Sequence, residues 1–515
     1  MGEIIAWSGD TGAGPGHLHV EFRDEGERPI DPRRAGLVWP SDDSSPAVFG
    51  VAIYPADPES QVNGACFPYA APVERATPGR YRILPVAAAG RVYLGAAVLD
   101  LTPEGNRLGV WRAAVRANDR RLFEVQFDRL SYDHQSSGAL VFDPYTRIDD
   151  VPVMQVWRRS GNLLENYAGS PGDGTVALDE GPQAVTLEFE DYGGNMTVVE
   201  VPFCRDTGPR HASRWPVVED ISPRFRGLGV FTRASSGGEM EARFAANLDG
   251  TVVRLPLTAM SSGLGGWWLP PRPGAWVCSL SGNGVELRRI PLVAGSARES
   301  VHLETDDARF DFPAGTLPPD SCVWLEESGR PELSGLEALS VALHLQPDGA
   351  PLLKPFTLKL RVPAGAEKGP VAICRVSGTS ASWLTTRRTG EWLVAESTSA
   401  GRFVAAVDRQ APAVEAWKTR RDPKRPDRPE IRASVAERGS GIASWDLYCG
   451  ETWLLASYDP DKSEVAWERD EDLPGPLTSI KLVLVDRAGN HSEWNWQPEA
   501  ALDPDWSELG RGKKR

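Results

Sequence analysis

The chain has 515 residues with 71 acidic side chains against 56 Lys and Arg, and its formal charge of -15 removes the basic footprint that a nucleic-acid binder needs. Its 41% hydrophobic and 25% charged content is ordinary for a globular protein, and no apolar run approaches the ~20 residues of a membrane-crossing helix. At roughly 150 residues per domain, this length divides into about three or four units with their own cores.

The first element is a short strand pattern that carries histidines. Residues Ser8 to Asp24 read SGDTGAGPGHLHVEFRD, so two of the seven histidines fall near the start of the chain. Strand alternation puts His17, His19, Glu21 and Arg23 on one face and turns Leu18, Val20 and Phe22 towards a core. Two imidazoles roughly 7 Å apart along a strand are placed to act on one small ion and its water. A lone H-x-H is common in proteins, and it is the surrounding residues that narrow the reading.

Those residues are Gly9, Thr11-Gly12, the turn from Ala13 to Gly16, His17-Leu18-His19, Glu21 and Ile30-Asp31-Pro32. From Gly2 to about Gly36 they resemble the C-terminal end of the lysostaphin-type zinc peptidases, the LytM-like family with a duplicated hybrid motif. The turn departs from the family pattern in placing Gly16 between Pro15 and His17. The resemblance implies one zinc ion, with His19 as a ligand and His17 as the catalytic histidine that activates or orients the attacking water. A catalytic zinc with an open position lowers the pKa of its water towards ~7, and a nearby histidine shuttles the proton in amide hydrolysis.

The family's remaining ligands, a His and an Asp spaced H-x-x-x-D, lie upstream of the H-x-H. Sixteen residues precede His17 here, and none is histidine. His302 and Asp306 have that spacing, but in the wrong order and inside a different β module. The resemblance therefore implies that residues 1–40 are the C-terminal part of a peptidase β core. Met1 is then a truncated or mis-assigned start, and the chain is inactive as given. Met1 is not followed by a basic-then-apolar leader pattern; a full-length product is expected in the periplasm, the cell envelope or outside the cell.

Beyond residue 40 the chain alternates with period two, in runs such as RVYLGAAVLD, RLFEVQFDRL, AVTLEFED, FTLKLRV and SIKLVLVD, broken by Gly, Pro, Asn and Asp. With 43 prolines and 51 glycines to interrupt helices, the predicted fold class is all-β: a remnant of a peptidase sheet followed by several immunoglobulin-like β-sandwich domains. The expected units are 41–206 (immunoglobulin-like), 207–296 (β-rich insert), 297–408 (β-sandwich), 409–500 (immunoglobulin-like sandwich) and a tail over 501–515.

Units 41–206 and 409–500 share a local code. Each opens with Pro-Ala-Val and closes with a strand, Asp-x-x-Gly-Asn and another strand, at Asp191–Asn195 and Asp486–Asn490. Gly and Asn tolerate positive φ, and the Asp caps the turn. Structural turn-making is the primary reading of these four residues; calcium is the lesser one, because each turn alone offers too few oxygens. Both units resemble bacterial immunoglobulin-like modules, the first in a larger form found downstream of cell-wall peptidase domains. In the second, Glu437 stands where the D-x-G-S-G-I signature of such modules has Asp. Residues 297–408, with Phe312-Pro313-Ala314-Gly315 and Pro347 to Pro355, resemble the β domain shared by ankyrins and netrin receptors.

The remaining features carry structural readings. Trp267, Trp268 and Trp276 are core residues first and a sugar-stacking platform second. Lys418 to Arg432 is a solvated, sign-alternating loop between strands. His134, His211, His344 and His491 have no partnering pattern, and the six cysteines, without C-x-x-C spacing, are buried apolar residues or at most one or two disulfides. Two functions remain. One is the C-terminal portion of a zinc metalloendopeptidase acting on peptidoglycan cross-links. The other is a non-catalytic β scaffold whose partner is a wall polymer or another envelope protein.

Overall fold

A computed structural model describes residues 21–31, 36, 42–205 and 290–497, apart from short stretches within them, and strand backbone between 218 and 289. The all-β expectation holds: nearly every described element is a strand, and these form separate sheets stacked as sandwiches. No helix among the described residues is long and apolar enough to cross a membrane.

In the first sandwich, one sheet runs in the order Phe142–Ile148, Val151–Gln155, Arg91–Leu101, Ala47–Pro55 and Tyr69–Ala71. The facing sheet runs Arg120–Gln126, Arg112–Ala117, Gln183–Glu190, Met196–Arg205, then the short Arg80–Arg82 and Glu74–Thr77. Period-two sequence becomes a two-faced strand. Val185, Leu187 and Phe189 are buried between the sheets, as are Val92, Leu94, Ala96 and Val98 from the opposite layer. Each of the Val, Leu and Phe side chains contributes about 1.5–3 kcal/mol by leaving water. On the outer face of the second sheet, Arg112 meets Glu190 at 2.7 Å and Glu124 at 3.0 Å across neighbouring strands.

The C-terminal sandwich repeats this plan strand for strand. Its sheets run Ser457–Asp459, Glu464–Glu468, Arg425–Ala436, Ala413–Asp422, and Thr452–Leu454, Ile442–Cys449, Ile480–Asp486, His491–Trp496. The first matches the leading four strands of the 142–71 sheet in pairing order, and the second matches the leading four of its partner. Ile431, Ala433 and Val435 face Ile480, Leu482 and Leu484 in its core.

Between them, the five strands Val301–Glu304, Ala308–Phe312, Phe356–Arg361, Trp392–Ser397 and Thr386–Thr389 cover a larger sheet. Phe310, Phe312, Phe356 and Phe403 fill the gap, with ring centroids 5.2–6.1 Å apart in stacked, tilted and edge-on pairs. The larger sheet continues across residue 296, because Val285–Ala294 pairs with Cys322–Ser328. Lys418 and Arg432, read above as the ends of a loop, face each other in the ladder of a β-hairpin formed by Ala413–Asp422 and Arg425–Ala436.

Candidate functional site

His17 and His19 lie outside the described residues. The end of the same segment is described. Glu21 and Arg23 are exposed while Phe22 between them is half-buried, the alternation expected of HLHVEFR. Arg23 Nε donates to Glu21 Oε1 at 2.5 Å, and both side chains meet Tyr132, whose hydroxyl donates to Glu21 Oε2 at 2.6 Å.

This segment is seated on the first sandwich. The Leu130 amide donates to the Pro29 carbonyl at 3.1 Å, Ile30 forms a bridge with Arg129, and Arg28 reaches Glu165 at 3.1 Å. A cavity of about 850 Å³ opens beneath it, walled by Ile30, Leu108, Phe127, Tyr132, Met154 and Tyr192 among others.

None of the other histidines joins a metal-ligand group among the described residues. His302 sits on a strand with Glu304 3.9 Å away, and His344 Nε2 is bonded to Asp348 at 2.6 Å. His134 lies in a 3-10 segment and His491 is exposed at a strand start; His211 is outside the described residues. The strand that carries Trp267 and Trp268 belongs to one sheet and the strand that carries Trp276 to another. Cys322, Cys374 and Cys449 are buried, as expected of small apolar side chains, whereas Cys204 is exposed.

The strongest constellation lies elsewhere, at one end of each matching sandwich. The alternation that buries Val185, Leu187 and Phe189 brings Asp191 to the next inward position, and it is fully buried. On the opposing sheet, Val92, Leu94, Ala96 and Val98 are followed inward by Asp100, which is 4% exposed. Asp42, four residues before Pro46, completes the group; one ligand atom from each carboxylate lies within 4.8 Å of the others. In the C-terminal sandwich, Asp486, Glu437 and Asp408 arrive from the corresponding positions and meet the same criterion.

The turn chemistry expected from the sequence is present in both. The Asn195 amide donates to Asp191 Oδ1 at 2.9 Å, and its Nδ2 donates to Asp191 Oδ2 at 3.0 Å and to the Asp42 carbonyl at 2.8 Å. Asn490 does the same with Asp486 Oδ1 at 2.8 Å, Asp486 Oδ2 at 2.8 Å and the Asp408 carbonyl at 3.3 Å. Two residues on, Thr197 and Ser492 donate their hydroxyls to the Pro46 and Pro412 carbonyls. Asp42, Asp100 and Asp408 were not singled out in the sequence. A detectable signal was the shared spacing Asp-x-x-x-Pro before each opening Ala-Val.

The two clusters differ in how their charge is met. In the C-terminal one, Glu437 Oε1 accepts from Gly439 and Gly441, and Asp408 accepts from Gln410 and Ser440 at 3.0 and 2.7 Å. Burial pushes the Glu437 carboxyl up, against those amides and with help from Asp408 and Asp486. In the first cluster Asp42 accepts from Ser44 at 2.9 Å, but Asp100 Oδ1 is buried with no hydrogen-bond partner. Burial, then the charges of Asp191 and Asp42, push the Asp100 carboxyl up to about 6. Among the described residues, no Lys or Arg forms an ion pair with any of the three.

No family model and no curated protein matches this chain. Among solved structures, it is similar to part of a 1.5-MDa bacterial ice-binding adhesin at 11% identity, covering 79% of this chain and 89% of that one, with a TM-score of 0.13. A tetra-tandem repeat from the extending region of a large adhesion protein matches at 11% identity over 80% and 96%, TM-score 0.13. A Ca2+-stabilised adhesin of an Antarctic bacterium matches at 10% identity over 79% and 92%, TM-score 0.13. Scores of this size carry no weight for fold or function.

Proposed function

We propose that residues 42–497 serve as a non-catalytic β scaffold in the cell envelope, and that residues 1–36 are the end of a lysostaphin-type zinc endopeptidase domain joined to it. The observation that supports this reading is the seating of Glu21–Asp31 on the first sandwich. Backbone pairing at Pro29 and Ile30, with the Arg28–Glu165 contact, ties the stretch that follows the H-x-H to a packed module. Such an attachment joins Glu21–Asp31 to the sandwich by pairing instead of by a flexible tether. In this role His19 is a zinc ligand and His17 the histidine beside the attacking water. A working zinc site requires about three protein ligands, so these two residues need partners beyond themselves.

The test uses purified chain and purified peptidoglycan. The chain should sediment with the wall polymer, release no soluble peptide fragments, and retain no stoichiometric zinc after dialysis. Fragment release that disappears in His19→Ala would show that the chain itself is a peptidase and would overturn the non-catalytic part. Absence of binding to wall polymer, and to envelope proteins offered in its place, would remove the scaffold role.

A further inference from the structure

We propose that the Asp42–Asp100–Asp191 cluster of the first sandwich binds a hard divalent cation of calcium's size. The inference is independent of the scaffold reading. It starts from the three carboxylates whose ligand atoms lie within 4.8 Å of one another, of which Asp191 is fully buried and Asp100 is 4% exposed.

Acidic groups gather on many protein surfaces without a ligand, and two further observations set this cluster apart. Asp100 Oδ1 points into the protein with no hydrogen-bond partner, although buried carboxylate oxygens are almost always satisfied. The corresponding cluster at the other end of the chain shows how the fold can satisfy such a group with backbone amides. There Glu437 takes the amides of Gly439 and Gly441, and Asp408 takes those of Ser440 and Gln410. Among the described residues, the Leu101 amide bonds the Asp100 carboxyl, and Oδ1 is left without a donor. The upward shift of its carboxyl follows from the same arrangement, as burial and two neighbouring negative charges oppose ionisation.

The donors choose the ion. All three side chains are carboxylates, and no imidazole or thiolate joins them among the described residues, which disfavours zinc and copper and suits calcium, magnesium or manganese. Irregular backbone at a turn accommodates calcium's flexible coordination of six to eight oxygens better than the strict octahedron of magnesium. Asp191 keeps lone pairs available beyond the two bonds to Asn195, since each carboxylate oxygen accepts more than one donor. Ligands from Asp42, Asp100 and Asp191 would join the start of the sandwich to both of its sheets. A bound cation would therefore stiffen that end of the module.

The experiment is calcium titration of the full chain after exhaustive chelation, followed by calorimetry and thermal melting, with terbium luminescence excited through aromatic residues as a second readout. Tyr192 follows Asp191 in sequence, its ring is 6.4 Å from that of Trp111, and the Trp111 amide donates to the Glu190 carbonyl at 2.8 Å. Calcium should bind with a dissociation constant of about 10⁻⁴ to 10⁻³ M, as in extracellular modules, and raise the melting temperature. Asp100→Asn should abolish binding, and so should Asp42→Asn, a change at a half-buried residue that serves if the first variant does not fold. Glu437→Gln should leave binding intact. The proposal is overturned by absence of calcium binding, by binding that survives Asp42→Asn and any folded Asp100→Asn variant, or by loss of binding in Glu437→Gln. Equal affinity for magnesium would overturn the choice of ion.

Discussion

Arg159 of the first sandwich clasps Asp320 of the middle module side-on, its Nε and Nη2 lying 3.0 Å from Oδ2 and Oδ1. Nη2 also donates to Ser321 Oγ at 2.9 Å, and the arginine is only 8% exposed. A fork of this kind joins two modules with defined orientation, which a lysine of equal charge cannot reproduce. Arg159→Lys should lower stability by about 1–3 kcal/mol in urea unfolding, the usual worth of hydrogen bonds to charged groups. Small-angle scattering should show a larger maximum dimension for the variant. An unchanged scattering profile and unchanged unfolding midpoint would mean that the clasp does not set the module angle.

Asn195 and Asn490 occupy the same place in two sandwiches, but their outer bonds differ in length. Asn195 Nδ2 reaches the Asp42 carbonyl at 2.8 Å, whereas Asn490 Nδ2 reaches the Asp408 carbonyl at 3.3 Å. Replacing either by Ala keeps the backbone bond to the turn aspartate but strips its Oδ2 of the Nδ2 donor and leaves a carbonyl short of a partner, which costs about 1–3 kcal/mol. Asn195→Ala should be the more damaging of the two. Urea titrations of both variants give the comparison, and a larger loss for Asn490→Ala would contradict it.

Much of this architecture was legible because its causes are local. The alternation in AVTLEFED and SIKLVLVD predicts strands with one buried face, and the same parity carries Asp191 and Asp486 inward. The Asp-x-x-Gly-Asn turns were readable for the same reason, since Asn195 and Asn490 bond within their own five residues. What the sequence hid is assembled by long-range pairing. Asp100 meets Asp191 only because Arg91–Leu101 and Gln183–Glu190 stand in facing sheets, and Arg159 meets Asp320 across 161 positions. The Lys418–Arg432 stretch misled because its charge and proline content resemble a solvated loop, while cross-strand pairing in a hairpin overrides local propensity. His17 and His19 remain legible as a motif alone.

Gly439 is a steric necessity. A Cβ added there would overlap the Asp408 carboxylate, which accepts the neighbouring Ser440 amide at 2.7 Å. Gly439→Ala must therefore displace Asp408 and loosen the loop from Glu437 to Gly441, costing about 1–3 kcal/mol as overpacking does. Gly109→Ala is the control, because a Cβ there meets open space. It should stay within about 0.5 kcal/mol of the parent. Equal melting temperatures for the two variants would disprove the steric account.

Accessibility should sort the cysteines. Burial, and then the charge of Asp408, push the Cys374 thiol up to about 12, so almost no thiolate forms near neutral pH. Cys322 and Cys449 are likewise buried, while Cys204 is exposed. In the folded chain an alkylating reagent at pH 8 should label Cys204 and spare Cys322, Cys374 and Cys449, with all four labelled in denaturant. Peptide mapping reads the result, and rapid native labelling of Cys374 would contradict the packing around it.

The acid limb of stability should carry a contribution from Asp311. Burial pushes its carboxyl up, but hydrogen bonds from Arg309 at 2.7 Å and Lys359 at 3.1 Å, with their charges, outweigh this and hold it below the ordinary value. Glu304 lies 3.5 Å from Arg309, and His302 stands opposite Asp311 in the ladder, so these are the other titratable groups at hand. A carboxyl with a depressed folded pKa stabilises fully above its unfolded value of ~3.9, and that stability is lost as pH falls through the lower folded value. For a partly exposed group the contribution is about 0.5–1 kcal/mol. Asp311→Asn should therefore be less stable than the parent at pH 6, and the gap should close below about pH 4. Urea unfolding across that range measures it; a gap that stays constant with pH would assign the loss to packing instead of charge.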